Sequence, residues 1–235
     1  VSDQGIRGAV LALSGDFSGI ELLPDRKTIR AGAAAPLASV CAFARDRGLS
    51  GLEFAWGIPG SAGGAAYMNA GAYGGEMKDV VESVTHLTAR GEIVAVPREE
   101  LAFSYRHSRY TGGRDVILSV EYQLVPGSRE EISAKMEELM SRRKEKQPYD
   151  MPSAGSIFKR PQNGFAAALI EECGLKGKTV GGAQVSPKHA GFIVNTGGAS
   201  CRDVLELIAV IKETVAAQKE IMLECEIRVT GEENG

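Results

Sequence analysis

From residue 54 to residue 75 the chain carries no charge, and seven of those positions are glycine. The length alone would suit a membrane span. The glycines, Pro59 and Asn69 break the continuous apolar character that a spanning helix needs. The stretch is therefore expected to be a buried, loop-rich segment whose volume is not filled by side chains. Glycine permits positive φ and close backbone approach, so a flat or anionic group could meet free N–H donors there. Tight loops packed against a helix would give the same composition. The run Gly57-Ile58-Pro59-Gly60-Ser61-Ala62-Gly63-Gly64 matches neither a dinucleotide fingerprint nor a P-loop.

The remaining composition is that of an ordinary globular chain. There are 235 residues, 43% hydrophobic and 24% charged, enough for one large domain or two modest ones. A net charge of −3 leaves no basic footprint for nucleic acid. Cys41, Cys173, Cys201 and Cys225 show no CxxC pair and no metal-ligand spacing. They are expected to be reduced, mostly buried, and suited to the cytoplasm. No metal site is expected. Residues 1–10 lack the basic start and cleavage site of a signal peptide.

Periodicity places the elements. Short strands are expected at 9–13, 20–23, 28–31, 80–88, 93–96, 116–124, 191–195 and 221–230. Helices are expected at 36–48, where Leu37, Val40, Cys41 and Ala44 share a face, and at 128–146 after Ser128. The second of these has an apolar stripe of Ile132, Met136, Leu139 and Met140. Further helices are expected at 165–173, stopped by Gly174, and from the cap Ser200 to about 218. In the last strand Glu224, Glu226 and Arg228 alternate onto one face. Pro126-Gly127 is the best candidate boundary.

Three more segments carry side chains suited to chemistry. Phe103-Ser104-Tyr105-Arg106-His107-Ser108-Arg109-Tyr110 crowds two arginines, a histidine and two tyrosines together. Arginine clamps carboxylate or phosphate through parallel N–H donors, although a solvated loop has the same look. Gly155-Ser156-Ile157-Phe158 sets a hydroxyl after a glycine, but no nucleophile elbow or triad accompanies it. Glu224 and Glu226 share a strand with Arg228, where pairing or solvation is the ordinary fate of a carboxylate. His86 lies in a strand-like run and reads as structural.

Taken in chain order, six segments resemble one family. They are Gly57-Ile-Pro-Gly-Ser-Ala-Gly-Gly, Met68-Asn-Ala-Gly-Ala-Tyr-Gly, Tyr105-Arg-His-Ser, Ala154-Gly-Ser-Ile-Phe-Lys-Arg-Pro, Val185-Ser-Pro-Lys-His-Ala-Gly-Phe-Ile-Val-Asn and Leu223-Glu-Cys-Glu-Ile-Arg. The pattern is similar to the UDP-N-acetylenolpyruvoylglucosamine reductases (MurB), in their shorter branch without an extra substrate-capping loop. The resemblance implies an α+β fold: a truncated FAD-binding domain of the vanillyl-alcohol-oxidase-like kind at 1–126, then a substrate-binding domain at 127–235, with the site between them. It also implies a small N-terminal subdomain and phosphate loop in the family, ahead of the segment that begins here with Val1.

The reaction implied has two stages. NADPH reduces FAD, and the flavin then gives hydride to C3 of an enolpyruvyl ether whose C2 is protonated. On the family's pattern Arg106 polarises the substrate carboxylate, Ser156 donates the proton and Glu226 is the catalytic glutamate. Arg142 and Lys146 would meet the diphosphate or carboxylate of the substrate, with Tyr105 and His189 nearby. Gly57, Ile58, Pro59, Gly60, Ser61, Gly63, Gly64, Asn69, Gly71, Ala72, Tyr73 and Gly74 would line the cofactor. Arg160 stands where other members carry asparagine and is expected to retune the substrate contact. Two rivals stay open at this point. One is a related FAD-dependent oxidase of alcohols or hydroxy acids; the other is a flavin-free remnant or fragment that binds a UDP-sugar. Nucleic-acid and membrane partners are not expected.

Overall fold

In the computed structural model, which describes residues 1–231, the period-two segments of the first half pair into one antiparallel sheet. Its strands are β1 (Ile20–Leu22), β2 (Thr28–Gly32), β3 (Val81–Leu87), β4 (Ile93–Pro97) and β5 (Val116–Gln123), in the spatial order β1-β2-β5-β3-β4. The register sets Ala31 opposite Val120 and Val120 opposite Val84, all buried. One residue along, Arg30 faces Glu121 and Glu21 and bonds both carboxylates, at 2.8 and 2.9 Å. That trio is solvated, so it fixes register more than it adds stability.

Three helices cover this sheet. Helix α1 (Leu37–Asp46) buries Leu37, Val40, Cys41 and Ala44, the face expected from their spacing. Helix α2 (Ala62–Tyr67) lies inside the uncharged run, where the sequence reading expected loops. It is made of alanine and glycine because it lies against the backbone after β2: a Cβ on Gly63 would stand 2.7 Å from that of Ala33. Helix α3 (Arg129–Lys146) starts at Ser128, whose Oγ accepts the Glu131 N–H at 3.3 Å. Its Ile132 and Met136 join Ile29, Val84, Val120 and Tyr122 in one core.

A separate core belongs to the second half. Strands β6 (Ser153–Ser156), β7 (Thr179–Val180), β8 (Ala183–Val185) and β9 (Phe192–Asn195) pair antiparallel in the order β6-β9-β8-β7. Helices α4 (Ala166–Glu172) and α5 (Cys201–Lys219) bury Ile170, Leu207, Ile208, Ile211 and Val215 together with Ile157, Val185 and Ile193. A reciprocal capping box of Ser200 and Asp203 opens α5, and the Asp3 carboxylate accepts the N–H groups of Cys201 and Arg202.

The compact units are Leu11–Arg143 on one side and Val1–Val10 with the chain from Lys144 onward on the other. This differs from the boundary expected at Pro126-Gly127. The reason lies in α3, whose Ile132 and Met136 pack into the first core, so the division falls in its last turn. Residues 232–235 of the expected second domain lie outside the described residues. Two expected strands are absent. Residues 9–13 form no ladder, and Leu11 is exposed. Residues 221–230 make one bridge, Cys225 with Phe158, rather than a strand. Of the cysteines only Cys41 is buried; the other three are partly exposed.

Gly63→Ala is expected to destabilise the protein by about 1–3 kcal/mol, since the added methyl must push backbone apart. Urea unfolding of the variant measures it, and a midpoint equal to wild type would show that α2 moves freely.

Candidate active site

In the first unit the candidate groups hang on Asn69. Its side chain is fully buried; Nδ2 donates to Glu76 Oε2 (2.7 Å) and the Ser104 carbonyl (2.9 Å), and Oδ1 accepts the Lys78 N–H (2.9 Å). Asn69 is one of the residues expected to line the cofactor. Its amide is consumed inside the protein, and it positions the loops that carry the other residues. One of these is a tight turn closed by two backbone bonds between Ser104 and His107, both 3.1 Å. Tyr105 and Arg106 form its tip. Arg106 holds φ at 53°, a conformation that favours glycine, and its guanidinium lies near the Tyr105 ring and the Gly71 carbonyl.

The turn is anchored from below. Buried Ser108 donates to the Tyr67 carbonyl at 2.7 Å, and Tyr110 OH meets His86 Nδ1 at 3.1 Å. His86 Nε2 faces Asp115 at 3.5 Å. Burial pushes the Tyr110 phenol up to about 12, so it stays a neutral hydrogen-bonding group. His86 is thus structural, as its strand-like setting indicated. Nothing in the sequence pattern signalled Ser108 or Tyr110 as anchors, because both partners are distant in the chain.

Glycine shapes the neighbouring loops in two ways. Gly75 is required by close approach, as a Cβ there would stand 2.6 Å from the Phe54 ring. Gly60 instead has open space where a Cβ would sit, and it and Gly64 are exposed. The loop from Gly57 to Ser61 therefore offers bare backbone on its outer side. Gly71 and Ala72 pair with Glu76 and Gly75 in a two-residue hairpin whose tip is Tyr73 and Gly74. Tyr73 also holds a positive φ, 53°, and its exposed ring has the Arg142 guanidinium 5.2 Å from its centre. Arg142 shares its charge with Glu138 at 3.3 Å.

In the second unit the backbone brings Ser156 and Glu226 together. The Glu226 N–H donates to the Ile157 carbonyl at 2.7 Å, and Lys159 N–H donates to the Glu224 carbonyl at 2.9 Å. The glutamate thus lies across from the residue after Ser156. Ser156 ends β6, where a bulge interrupts pairing with β9, and it is exposed. Glu224 itself is an exposed ion-pair partner of Lys159. A groove of about 540 Å³ runs beside this junction, lined by Ser153, Ala154, Asn195, Cys201 and Ile227 among others.

Other sequence-selected residues of this unit sit apart in role. Lys146 is exposed in the last turn of α3. His189 Nδ1 accepts the Gly191 N–H at 3.2 Å, and its ring meets Phe192 edge-on. Burial holds the His189 pKa below its ordinary value of 6.5. Arg160 stacks on Phe165, its guanidinium carbon 4.1 Å from the ring centre. Among the described residues no group of His, Cys, Asp or Glu could hold a metal, and no helix is long and apolar enough to cross a membrane.

Three measurements check this geometry. Asn69→Ala takes the side-chain partner from the Lys78 N–H and from the Ser104 carbonyl, while Glu76 keeps Lys78 Nζ at 3.1 Å, and is expected to cost about 1–3 kcal/mol in urea unfolding; no measurable loss would remove its anchoring role. Arg106→Gly relieves a left-handed backbone and is expected to hold or raise stability by roughly 0.5–1 kcal/mol while activity falls. A marked drop in melting temperature would show that the turn is unstrained. For His189 the folded pKa is depressed, so its stabilisation is complete above about pH 6.5 and is lost as pH falls through the lowered folded value. His189→Gln is expected to flatten the acid limb of the stability curve; identical slopes from about pH 7 to pH 5 would contradict this.

Comparison with known proteins bears on both units. Residues 1–97 match the model of a family described as an FAD binding domain. Residues 147–230 match that of the UDP-N-acetylenolpyruvoylglucosamine reductase C-terminal domain. A UDP-N-acetylenolpyruvoylglucosamine reductase of Agathobacter rectalis is 50% identical over 99% of this chain and 77% of its own length. That of Clostridioides difficile is 48% identical over 99% of this chain and 76% of its own. The crystal structure of the Thermus caldophilus enzyme superposes with a TM-score of 0.86 at 38% identity, over 98% of this chain and 81% of that one. Identity of this depth along nearly the full chain, with both domain families in the expected order, makes the chain a member of the UDP-N-acetylenolpyruvoylglucosamine reductase family.

Proposed function

We propose that the protein reduces UDP-N-acetylglucosamine enolpyruvate to UDP-N-acetylmuramate, in the making of peptidoglycan precursors, with FAD as redox cofactor and NADPH as reductant. The observation that supports this reading most directly is the Glu226–Ile157 junction beside Ser156, in the unit matched by the reductase C-terminal domain. The nucleotide-sugar and nicotinamide substrates place the reaction in the cytoplasm.

FAD, when bound, would supply redox chemistry to the reaction. The residues that would hold it are the bare loop Gly57, Ile58, Pro59, Gly60 and Ser61, the N-terminal turn of α2 with Gly63 and Gly64, and the hairpin Gly71, Ala72, Tyr73 and Gly74. These residues fit such a group: the loop is open where Gly60 lacks a side chain, and the hairpin tip presents the Tyr73 ring with the Arg142 guanidinium beside it.

The chain's own side chains divide the remaining chemistry. Hydride addition at C3 of an enol ether builds negative charge at C2 and on the carboxylate. The Arg106 guanidinium stabilises that charge through two parallel donors, as an oxyanion site does. Glu226 takes the role of the family's catalytic glutamate. Ser156 Oγ–H delivers the proton to C2 and completes the lactyl ether. Arg142 and Lys146 neutralise the substrate diphosphate, and Tyr105 and His189 border the sugar.

Ser156→Ala is expected to keep anaerobic bleaching of the flavin by NADPH and to lose product formation by about 10²–10⁴-fold. Glu226→Gln is expected to show the same split. Stopped-flow absorbance separates the two half-reactions, and equal loss of both would remove these roles.

A further inference from the structure

The N–H groups in the first turn of α5 have no acceptor within the helix, and their partners come from two places. Ser200 Oγ accepts the Asp203 N–H at 3.0 Å, as the capping box requires. The N–H groups of Cys201 and Arg202 instead donate to the two oxygens of the Asp3 carboxylate, at 2.6 and 3.0 Å. A carboxylate so placed also meets the positive end of the helix dipole. Asp3 belongs to a tight turn: the Gly5 N–H donates to the Ser2 carbonyl at 2.9 Å, and Ser2 Oγ donates to the Gly5 carbonyl at 3.1 Å. Ser2 is buried, and its N–H donates to the Thr230 carbonyl at 2.9 Å. Gly231 follows with φ of 118°, and a Cβ there would stand 2.6 Å from Ser2 Oγ. The turn is thus fixed by α5 and in its own right fixes the end of the segment 221–231.

That segment carries Glu226, four positions before Thr230. The bridge and the two backbone bonds to residues 157–159 hold it only at 224–226. Beyond them Ile227, Arg228 and Val229 line the groove, together with Val1 and Cys201, before the chain reaches its second attachment at Ser2. We propose that Asp3 is a positioning residue for the reduction step. By capping α5 it fixes the Ser2–Gly5 turn, the turn fixes Thr230, and the segment held at both places keeps Glu226 against Ile157, beside Ser156. This rests on the reading above that Ser156 and Glu226 act on the substrate.

Hydrogen exchange of the whole chain, together with stopped-flow absorbance of the FAD-loaded protein, tests the proposal. Asp3→Ala is expected to speed exchange of the Glu226 amide at least about tenfold, because the segment is then attached at one place only. The same variant is expected to keep bleaching of the flavin by NADPH and to slow product formation about tenfold, as a small misplacement near a reacting centre does. Asp3→Asn keeps an oxygen for the helix N-terminus and is expected to recover most of both losses. Gly231→Ala leaves the Asp3 carboxylate in place, disturbs the turn from its other side, and is expected to reproduce the split between half-reactions. Wild-type product formation in Asp3→Ala would overturn the proposal whatever its exchange, and so would equal loss of both half-reactions, which marks a merely structural cap. A wild-type chain that forms no product would overturn the proposed function instead. Exchange then tests the clasp alone, and an unchanged Glu226 amide in Asp3→Ala would overturn it.

Discussion

Asn69 Nδ2 bonds both Glu76 and the Ser104 carbonyl, while Oδ1 takes the Lys78 N–H, so segments far apart in sequence share one buried amide. A buried amide is costly unless each polar atom is used, and once used it tolerates little displacement. The hairpin that carries Tyr73 and the turn that carries Arg106 are both attached to it. The glycine loops can therefore remain bare of side chains without collapsing, because their positions are set from beneath by hydrogen bonds rather than by packing.

Strain collects around the same anchor. Asn69, Tyr73, Ala102 and Arg106 all hold positive φ without being glycine. Each such residue costs on the order of 1 kcal/mol or more, and persists only where surrounding structure over-determines it. At Ser104–His107, two backbone bonds supply that determination. A glycine would suit the Arg106 position better, so its side chain is what keeps arginine there.

The second unit solves its problem differently. Residues 221–230 are not held by a full ladder but by a bridge and two backbone bonds against residues 157–159. That limited pairing suffices because Leu223 is buried in the helix-covered core, with Cys225 and Ile227 packed against it. It leaves Ser156 exposed and Glu226 half-buried, while the backbone beneath them is fixed.

Much was legible in the chain order of residues. The apolar spacing of α1, α3 and α5, the caps Ser128 and Ser200, and the stops Gly48 and Gly174 follow from local geometry, which acts over one helical turn. The six family motifs likewise gave the domains' identity. What the sequence could not decide were contacts whose partners lie tens of residues apart. Alternation in 221–230 reads as a strand, yet strand formation depends on a neighbour with free ladder positions, and only part of one was on offer. An asparagine amid glycines gives no sign of the three bonds its buried amide makes to Glu76, Ser104 and Lys78. Sequence determined which residues are present and which local shapes they prefer; tertiary structure decided which polar groups are consumed within the protein and which remain for chemistry, because desolvation and pairing are set by distant parts of the chain.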